Sequence, residues 1–109
     1  MRPPRYLSAL SLCAKAGKIA SGEAMTEQAL RGGRAKLLLI AEDASGQTKK
    51  KFTAMAERAG VPVLTLPDRS TLGGAIGKEF RASAAVLDSG FAEMIRKAFQ
   101  NRSSLEEGS

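Results

Sequence analysis

The sequence contains no histidine and no tryptophan, only five aromatic residues and a single cysteine, Cys13, among 109 residues. Without histidine, the Ser-His-Asp and Cys-His catalytic arrangements cannot form, and most histidine-ligated metal sites are excluded. A single cysteine excludes an intramolecular disulfide and a zinc site built from several cysteines. Cys13 falls on the inner face of the first predicted helix, which favours a small core residue over a reactive thiol. The scarcity of aromatic residues argues against a sheet face on which bases stack.

Long apolar runs are also missing from the sequence. The longest run, near residues 37–41, has the length of a strand and falls far short of the roughly 18 residues that a membrane span needs. The first five residues, MRPPR, lead into a helical pattern and lack the apolar segment of a signal peptide. We therefore expect no membrane association and a cytoplasmic location.

Acidic residues are outnumbered, with 17 basic against 11 acidic side chains, a net charge of +6 and a pI near 9.9. The surplus lies in residues 1–60, which carry 11 basic and 5 acidic residues, whereas residues 61–109 carry 6 of each. A surplus concentrated in one half favours a polyanionic partner, most often nucleic acid, over a merely solvated basic surface.

Helical and extended patterns alternate along the chain without a linker. Apolar spacing predicts strands over residues 18–21, 35–41, 61–66 and 84–87. The helices between them are expected to begin at caps such as Ser21 and Ser70, with Met25, Met55 and Met94 on inner faces. This alternation predicts a three-layer α/β/α sandwich around a four-stranded mixed sheet. We expect one domain over residues 1–100, followed by a polar C-terminal tail over residues 101–109.

Motifs for enzyme chemistry are weak in this sequence. The glycine-rich stretch over residues 72–77 lacks the spacing of a Walker or dinucleotide-binding loop. Glu42 and Asp43 follow the most apolar strand, and Asp68 follows the next one, so a Mg²⁺ site for phosphoryl transfer stays open beside the simpler interpretation as a solvated loop. The lysines at 49–51 fall at a helix start, against the helix dipole, which mildly favours an anionic partner.

Four short motifs carry a resemblance to a known family. They are SGE at 21–23, AKLLLIAEDAS at 35–45, GVPV at 60–63 and LGGAIGK at 72–78. In this order and spacing, they make residues 5–99 resemble the kink-turn RNA-binding ribosomal-protein family, and most closely its YlxQ-like bacterial branch. The resemblance implies an α/β/α sandwich that grips a sharply bent RNA internal loop with tandem sheared G·A pairs. We therefore expect a monomeric, non-enzymatic protein without a cofactor that binds structured RNA, such as ribosomal RNA.

The resemblance also assigns the RNA contacts. The N-terminus of the second helix would enter the widened groove, where a glycine allows close approach of the backbone, and two loops would cover the RNA from either side. The helix residues so assigned are Gly22, Glu23, Ala24, Met25, Gln28 and Arg31; the loop residues are Asp43, Ala44 and Ser45, then Arg81, Ala82 and Ser83; Lys36 and Arg69 are added as cations.

One part of the family pattern is missing. Well-studied members carry an Asn-Glu pair in the second helix and a lysine three residues later, which read guanine edges and contact phosphate. Here these positions hold Ala24, Met25 and Gln28, so the guanine-reading carboxylate and one phosphate contact are absent, and Glu23 is the nearest replacement. Besides RNA binding, two alternatives stay open: the Mg²⁺ enzyme described above and a protein-interaction module of the same fold.

Overall fold

Nine elements alternate along residues 3–102, the part of the chain that the computed structural model describes. They are α1 (Arg5–Lys15), β1 (Ile19–Ser21), α2 (Glu23–Arg31), β2 (Leu37–Ala41), α3 (Gly46–Ala59), β3 (Val63–Leu66), α4 (Arg69–Ala75), β4 (Ser83–Val86) and α5 (Ser89–Gln100). Every predicted strand is present within two residues of its expected bounds. Of the predicted tail, Asn101 caps α5 and Arg102 stacks on the Phe99 ring at 3.6 Å, whereas residues 103–109 lie outside the described residues.

The four strands form one sheet in the order β1-β4-β2-β3. Strand β4 runs antiparallel to both β1 and β2, and β2 runs parallel to β3, so the sheet is mixed, as predicted. Pro62 precedes the edge strand β3, where a missing backbone donor is tolerated. Its carbonyl still accepts a hydrogen bond from the Leu38 amide at 2.9 Å.

Strand β2 divides the core into two layers because its side chains alternate between the faces of the sheet. Leu37 and Leu39 pack in a cluster with residues of α1, α4 and α5. Leu38 and Ile40 pack in a second cluster with residues of α2 and α3. All five residues of β2 are buried, which explains its continuous apolar sequence. Helices on both faces of the sheet confirm the predicted three-layer sandwich.

Two helix caps differ from the sequence prediction. The Asp68 side chain caps α4 by accepting a hydrogen bond from the Thr71 amide at 2.7 Å, and Ser70 lies inside the helix instead. The hydrogen bonds from Thr71 and Ser70 lower the pKa of the Asp68 carboxyl. Helix α2 starts one residue later than expected, so Gly22 takes the cap position in place of Ser21 and brings no capping side chain.

Several apolar residues are more exposed than their sequence pattern indicated. Met55 is buried as predicted, but Met25 and Met94 expose 46% and 48% of their surface, and Phe80 exposes 60%. Cys13 is buried in the core, and burial, with a smaller contribution from Asp88, raises the pKa of its thiol to about 11. A thiol so protonated is a packing residue, as predicted. Within residues 3–102, no helix is long and apolar enough to cross a membrane.

Candidate nucleic-acid interface

Strand pairing brings the predicted contact segments together at one end of the sheet, which we call the Gly22 end. The Gly22 amide donates to the Ser83 carbonyl at 3.0 Å, which joins the start of α2 to the start of β4. The Ala41 amide donates to the Ala82 carbonyl, and the Glu42 amide to the Leu66 carbonyl. The Gly22 end therefore collects residues 22–27, 42–51, 67–69 and 77–83.

Helix α2 opens at the Gly22 end with a glycine in a conformation that other residues avoid. Gly22 has φ +90° and ψ 164°, a region that is essentially restricted to glycine. A Cβ built at this position would meet no protein atom within 4 Å, so the requirement comes from the backbone and the space in front is open. The first amides of α2 have no partner within the helix.

The exposed face of α2 carries the residues that the family resemblance singled out. Ala24, Met25 and Gln28 are exposed, whereas Thr26, Ala29 and Leu30 face the core. The expectation that Met25 lies on the inner face is wrong, because Thr26 takes that place. An apolar side chain therefore stands in solvent beside the open helix terminus.

Acidic residues near α2 are neutralised by the lysine run of α3. The Lys51 ammonium lies 2.7 Å from a Glu27 carboxylate oxygen and 3.3 Å from one of Glu23. The hydrogen bond to Lys51 lowers the pKa of the Glu27 carboxyl, and the bonds to Glu27 and Glu23 raise the pKa of Lys51. Lys49 lies 3.7 Å from Glu42. These ion pairs explain how the lysine run is tolerated near the start of α3. They also leave the Glu23 carboxylate in an ion pair with Lys51.

The first loop, after β2, has exposed residues, Asp43 and Ser45, and one buried residue, Ala44. The Asp43 carboxylate accepts from the Arg69 amide at 2.8 Å and lies 3.5 Å from the Arg69 guanidinium, so these predicted residues are adjacent and exposed. Ser45 caps α3 by accepting from the Thr48 amide. Ala44 is only 7% exposed and packs in the core, so its side chain is not accessible to RNA, and the predicted contact at this position is limited to the backbone of the loop.

Ser83 is also buried, at 1% exposure, so its side chain is not accessible to RNA either. Its hydroxyl donates to the Thr26 hydroxyl at 3.3 Å, and its carbonyl receives the Gly22 amide. The Thr26 amide in turn donates to the Gly22 carbonyl at 2.9 Å. This buried hydroxyl pair links α2 to β4 and holds the helix terminus in place. Thr26 was not among the residues singled out from the sequence.

We expect Thr26→Val to lower the free energy of unfolding by about 1–2 kcal/mol, because the Ser83 hydroxyl loses its buried partner. The double variant with Ser83→Ala should cost less than the sum of the two single changes, since neither hydroxyl is then left unpaired. Urea denaturation of the four proteins measures both effects. Strictly additive costs would contradict the pairing.

The second loop presents Arg81, Ala82 and an exposed aromatic ring. Arg81 and Ala82 are half-buried, and Phe80 is exposed beside them. A Cβ at Gly73 would lie 2.5 Å from the Glu79 carbonyl oxygen, so this glycine lets the loop pack on α4, and the glycine-rich stretch has a structural role. Phe80 was missed from the sequence, although an aromatic residue between charged neighbours in a loop is a usable signal.

Two predicted cations lie away from the Gly22 end. Lys36 precedes β2, and its amide donates to the Val86 carbonyl at the far end of β4. Arg31 lies in the last turn of α2 and pairs with Glu27 at 2.9 Å. Neither lies near the other predicted contacts. Lys36 precedes the start of β2 and Arg31 lies at the end of α2, whereas the end of β2 and the start of α2 lie at the Gly22 end.

The carboxylates considered for a metal site point to different partners. Glu42 pairs with Lys49, Asp43 with Arg69, and Asp68 caps α4. Among residues 3–102, no group of three or more possible metal ligands converges. The Mg²⁺ alternative therefore has no built site in the described part of the chain.

Comparison with known proteins shows one matching family and several similar relatives. The family model described as "Ribosomal protein L7Ae/L30e/S12e/Gadd45 family" matches residues 5–95. The RNA-binding protein YlxQ of Bacillus subtilis (strain 168) is 43% identical over 86 residues, which cover 79% of this chain and 86% of that protein. The large ribosomal subunit protein eL8 of Cenarchaeum symbiosum (strain A) is 31% identical over 90 residues, covering 82% and 71%. A solved structure from Bacillus halodurans C has a TM-score of 0.86 and 32% identity, covering 90% and 99%.

Proposed function

The chain belongs to the ribosomal protein L7Ae/L30e/S12e/Gadd45 family, and from that premise we propose that it is a non-enzymatic protein that binds a sharply bent, structured RNA at the Gly22 end. A relative named as an RNA-binding protein shares 43% of its residues over most of both chains. Another relative is a protein of the large ribosomal subunit. Both names support RNA as the partner and a ribosomal or ribosome-like RNA as its class.

The observation that carries the proposal is the open N-terminus of α2 at Gly22. Backbone amides of the first turn and the helix dipole together favour an anion at this point. The glycine has φ +90° and open space in front of it, so an RNA strand can approach the backbone itself. The loop of Asp43 adjoins Arg69, and the Arg81 amide donates to the Arg69 carbonyl at 3.2 Å, so these three residues together cover the bound segment from the side of the loops.

The side chains around this terminus suit a bent internal loop better than a regular duplex. Met25 and Phe80 are exposed apolar groups, and such groups pack on bases that have left the helical stack. The Gln28 amide donates to a phosphate, and the Arg69 and Arg81 guanidinium groups supply charge-assisted contacts. Because Met25 stands where the family has its guanine-reading glutamate, we propose that the kink-turn is recognised mainly by its shape.

We further propose that the protein acts as a monomer in the cytoplasm and catalyses no reaction. Its named relatives are RNA-binding and ribosomal proteins, and within residues 3–102 no group of three or more possible metal ligands converges at the Gly22 end.

The proposal is tested by titrating one kink-turn RNA against the same RNA with its sheared G·A pairs changed to Watson–Crick pairs. We expect binding to the kink-turn to be tighter by roughly tenfold, because the altered RNA must be bent at a cost in free energy. Equal affinity for the two RNAs would contradict kink-turn recognition and leave general RNA binding.

The salt dependence of the same titration separates RNA binding from the protein-interaction alternative. Each phosphate neutralised by the protein contributes about −0.7 to −0.9 to the slope of log K against log salt. We expect a steep slope. Absence of binding to either RNA would overturn the proposed function.

A further inference from the structure

The basic surplus of the chain does not lie at the Gly22 end. The segments that form this end carry six basic and six acidic side chains, so they are neutral overall. The basic residues are Lys49, Lys50, Lys51, Arg69, Lys78 and Arg81, and the acidic ones are Glu23, Glu27, Glu42, Asp43, Asp68 and Glu79. The net charge of +6 is therefore carried by the rest of the chain.

Four exposed cations gather at the opposite end of the sheet, and we call them the distal cationic surface: Lys18, Arg34, Lys36 and Arg96. The Lys18 carbonyl accepts from the Leu87 amide at 2.8 Å, and the Lys36 amide donates to the Val86 carbonyl at 2.7 Å, so these lysines flank the end of β4. Arg34 precedes Lys36 by two residues. Arg96 and Lys36 line one groove of about 410 Å³ between α5 and the sheet, together with the mutually neutralising ion pair of Glu93 and Lys97.

These four cations also lack acidic partners. Within residues 3–102, none of them lies within ion-pair distance of a carboxylate. At the Gly22 end, by contrast, Lys49, Lys51 and Arg69 all have such partners. Uncompensated cations on several elements, facing solvent at one place, form a surface of positive potential that attracts a polyanion.

The groove favours RNA over an acidic protein segment as the polyanion. Its apolar lining is limited to small side chains, Pro62 and Ala92. It lacks the aromatic and large aliphatic anchors that dominate the centre of protein–protein interfaces. Lys36 and Glu42 are six residues apart along β2, a separation of about 20 Å at the usual rise of a strand, so a segment bound at one end leaves the other end free.

We propose that the distal cationic surface binds the phosphate backbone of a second RNA segment, outside the bent loop held at the Gly22 end. This inference rests on the proposed RNA-binding function and adds a second contact to it. The Gly22 end recognises the shape of the RNA, and the distal cations supply most of the salt-dependent affinity without reading sequence.

The test uses two RNAs and two variants of the full chain. The short RNA is a kink-turn with one turn of duplex on each side, and the long RNA extends both duplexes by two turns. The distal triple variant is Arg34→Gln, Lys36→Gln and Arg96→Gln. The control variant, Arg5→Gln and Lys15→Gln, removes charge from exposed cations outside the Gly22 end that have no ion pair in the described part of the chain, and the two variants are compared per charge removed. All five positions are exposed, and thermal unfolding checks that both variants stay folded.

We expect the distal triple variant to bind the long RNA roughly tenfold more weakly at moderate salt and to flatten its salt slope by about two units. Its affinity for the short RNA should change by about twofold or less, and the control variant should affect both RNAs equally and mildly.

Equal loss per charge removed in the two variants, or equal loss of the distal variant on both RNAs, would overturn the proposal. A parallel titration with polyglutamate tests the alternative of an acidic protein partner. If the distal triple variant loses polyglutamate binding and keeps RNA binding, the surface binds acidic proteins and the proposal is overturned. If the unmodified protein binds neither RNA, the proposed function fails and the distal contact fails with it. If the unmodified protein binds the short RNA but the distal triple variant shows no selective loss on the long RNA, only the distal contact fails.

Discussion

Gly22→Val is expected to abolish detectable binding of the kink-turn RNA, a loss of about 100-fold or more, equivalent to about 3 kcal/mol. Two physical effects act together. A β-branched side chain cannot adopt φ +90° without strain, so the first turn of α2 shifts. The valine methyl groups also occupy the open space in front of the helix amides, where a phosphate or base edge would lie. A fluorescence-anisotropy titration measures the loss.

Because the strain also lowers stability, the variant needs a matched control. We expect Gly22→Val to reduce the free energy of unfolding by about 1–3 kcal/mol. Gly33, which follows the other end of α2, has φ +73° and equally open surroundings. Gly33→Val should therefore cost similar stability and leave the affinity for the short kink-turn RNA unchanged. A folded Gly22→Val protein that binds RNA like the parent would show that the Gly22 end is not the contact surface.

The second large effect is a gain of function. Ala24→Asn, Met25→Glu and Gln28→Lys together restore the family pattern on the exposed face of α2. A carboxylate on guanine edges is worth about 1–3 kcal/mol, and a lysine–phosphate contact adds about 1 kcal/mol. We expect the triple variant to bind the kink-turn about 100-fold more tightly than the parent. The RNA with Watson–Crick pairs in place of G·A pairs should gain far less.

The single variant Gln28→Lys separates the two contributions. It should gain about 1 kcal/mol on both RNAs and steepen the salt slope by somewhat less than one unit, because it adds a phosphate contact and no base contact. Stability should hardly change, since glutamine and lysine are both good helix formers. No gain from either variant would place α2 outside the RNA contact.

The fold was predictable from the sequence where one physical effect dominates. The apolar run of β2 can only be buried on both faces, and Gly60 could only end a helix, which it does with φ +70°. The inner face of α2 was harder, because Thr26 is a polar residue in a core position. Thr26 has the better helical spacing to Ala29 and Leu30, but its partner Ser83 is 57 residues away in sequence. Nothing local showed how a buried hydroxyl would be satisfied, and Met25 was assigned to the core for its hydrophobicity.

The contact surface was predictable in its loops and less so in its cations. Asp43, Ser45 and Arg81 all follow or precede strands whose ends meet, so their convergence follows from strand order. Lys36 and Arg31 were grouped with them by charge and closeness in sequence. A strand of five residues places its two ends far apart, and charge alone does not say at which end a cation lies.

The central position of β4 also has a consequence for synthesis on the ribosome. This strand is the fourth of four to emerge, and it alone joins β1 to the pair formed by β2 and β3. Until residue 83 has left the exit tunnel, the Gly22 amide has no carbonyl to hold it, and α2 has no fixed orientation relative to the loops after β2 and β3. The nascent chain therefore contains the residues of the proposed RNA-binding surface before β4 can bring them together, and we expect that surface to form in one late step.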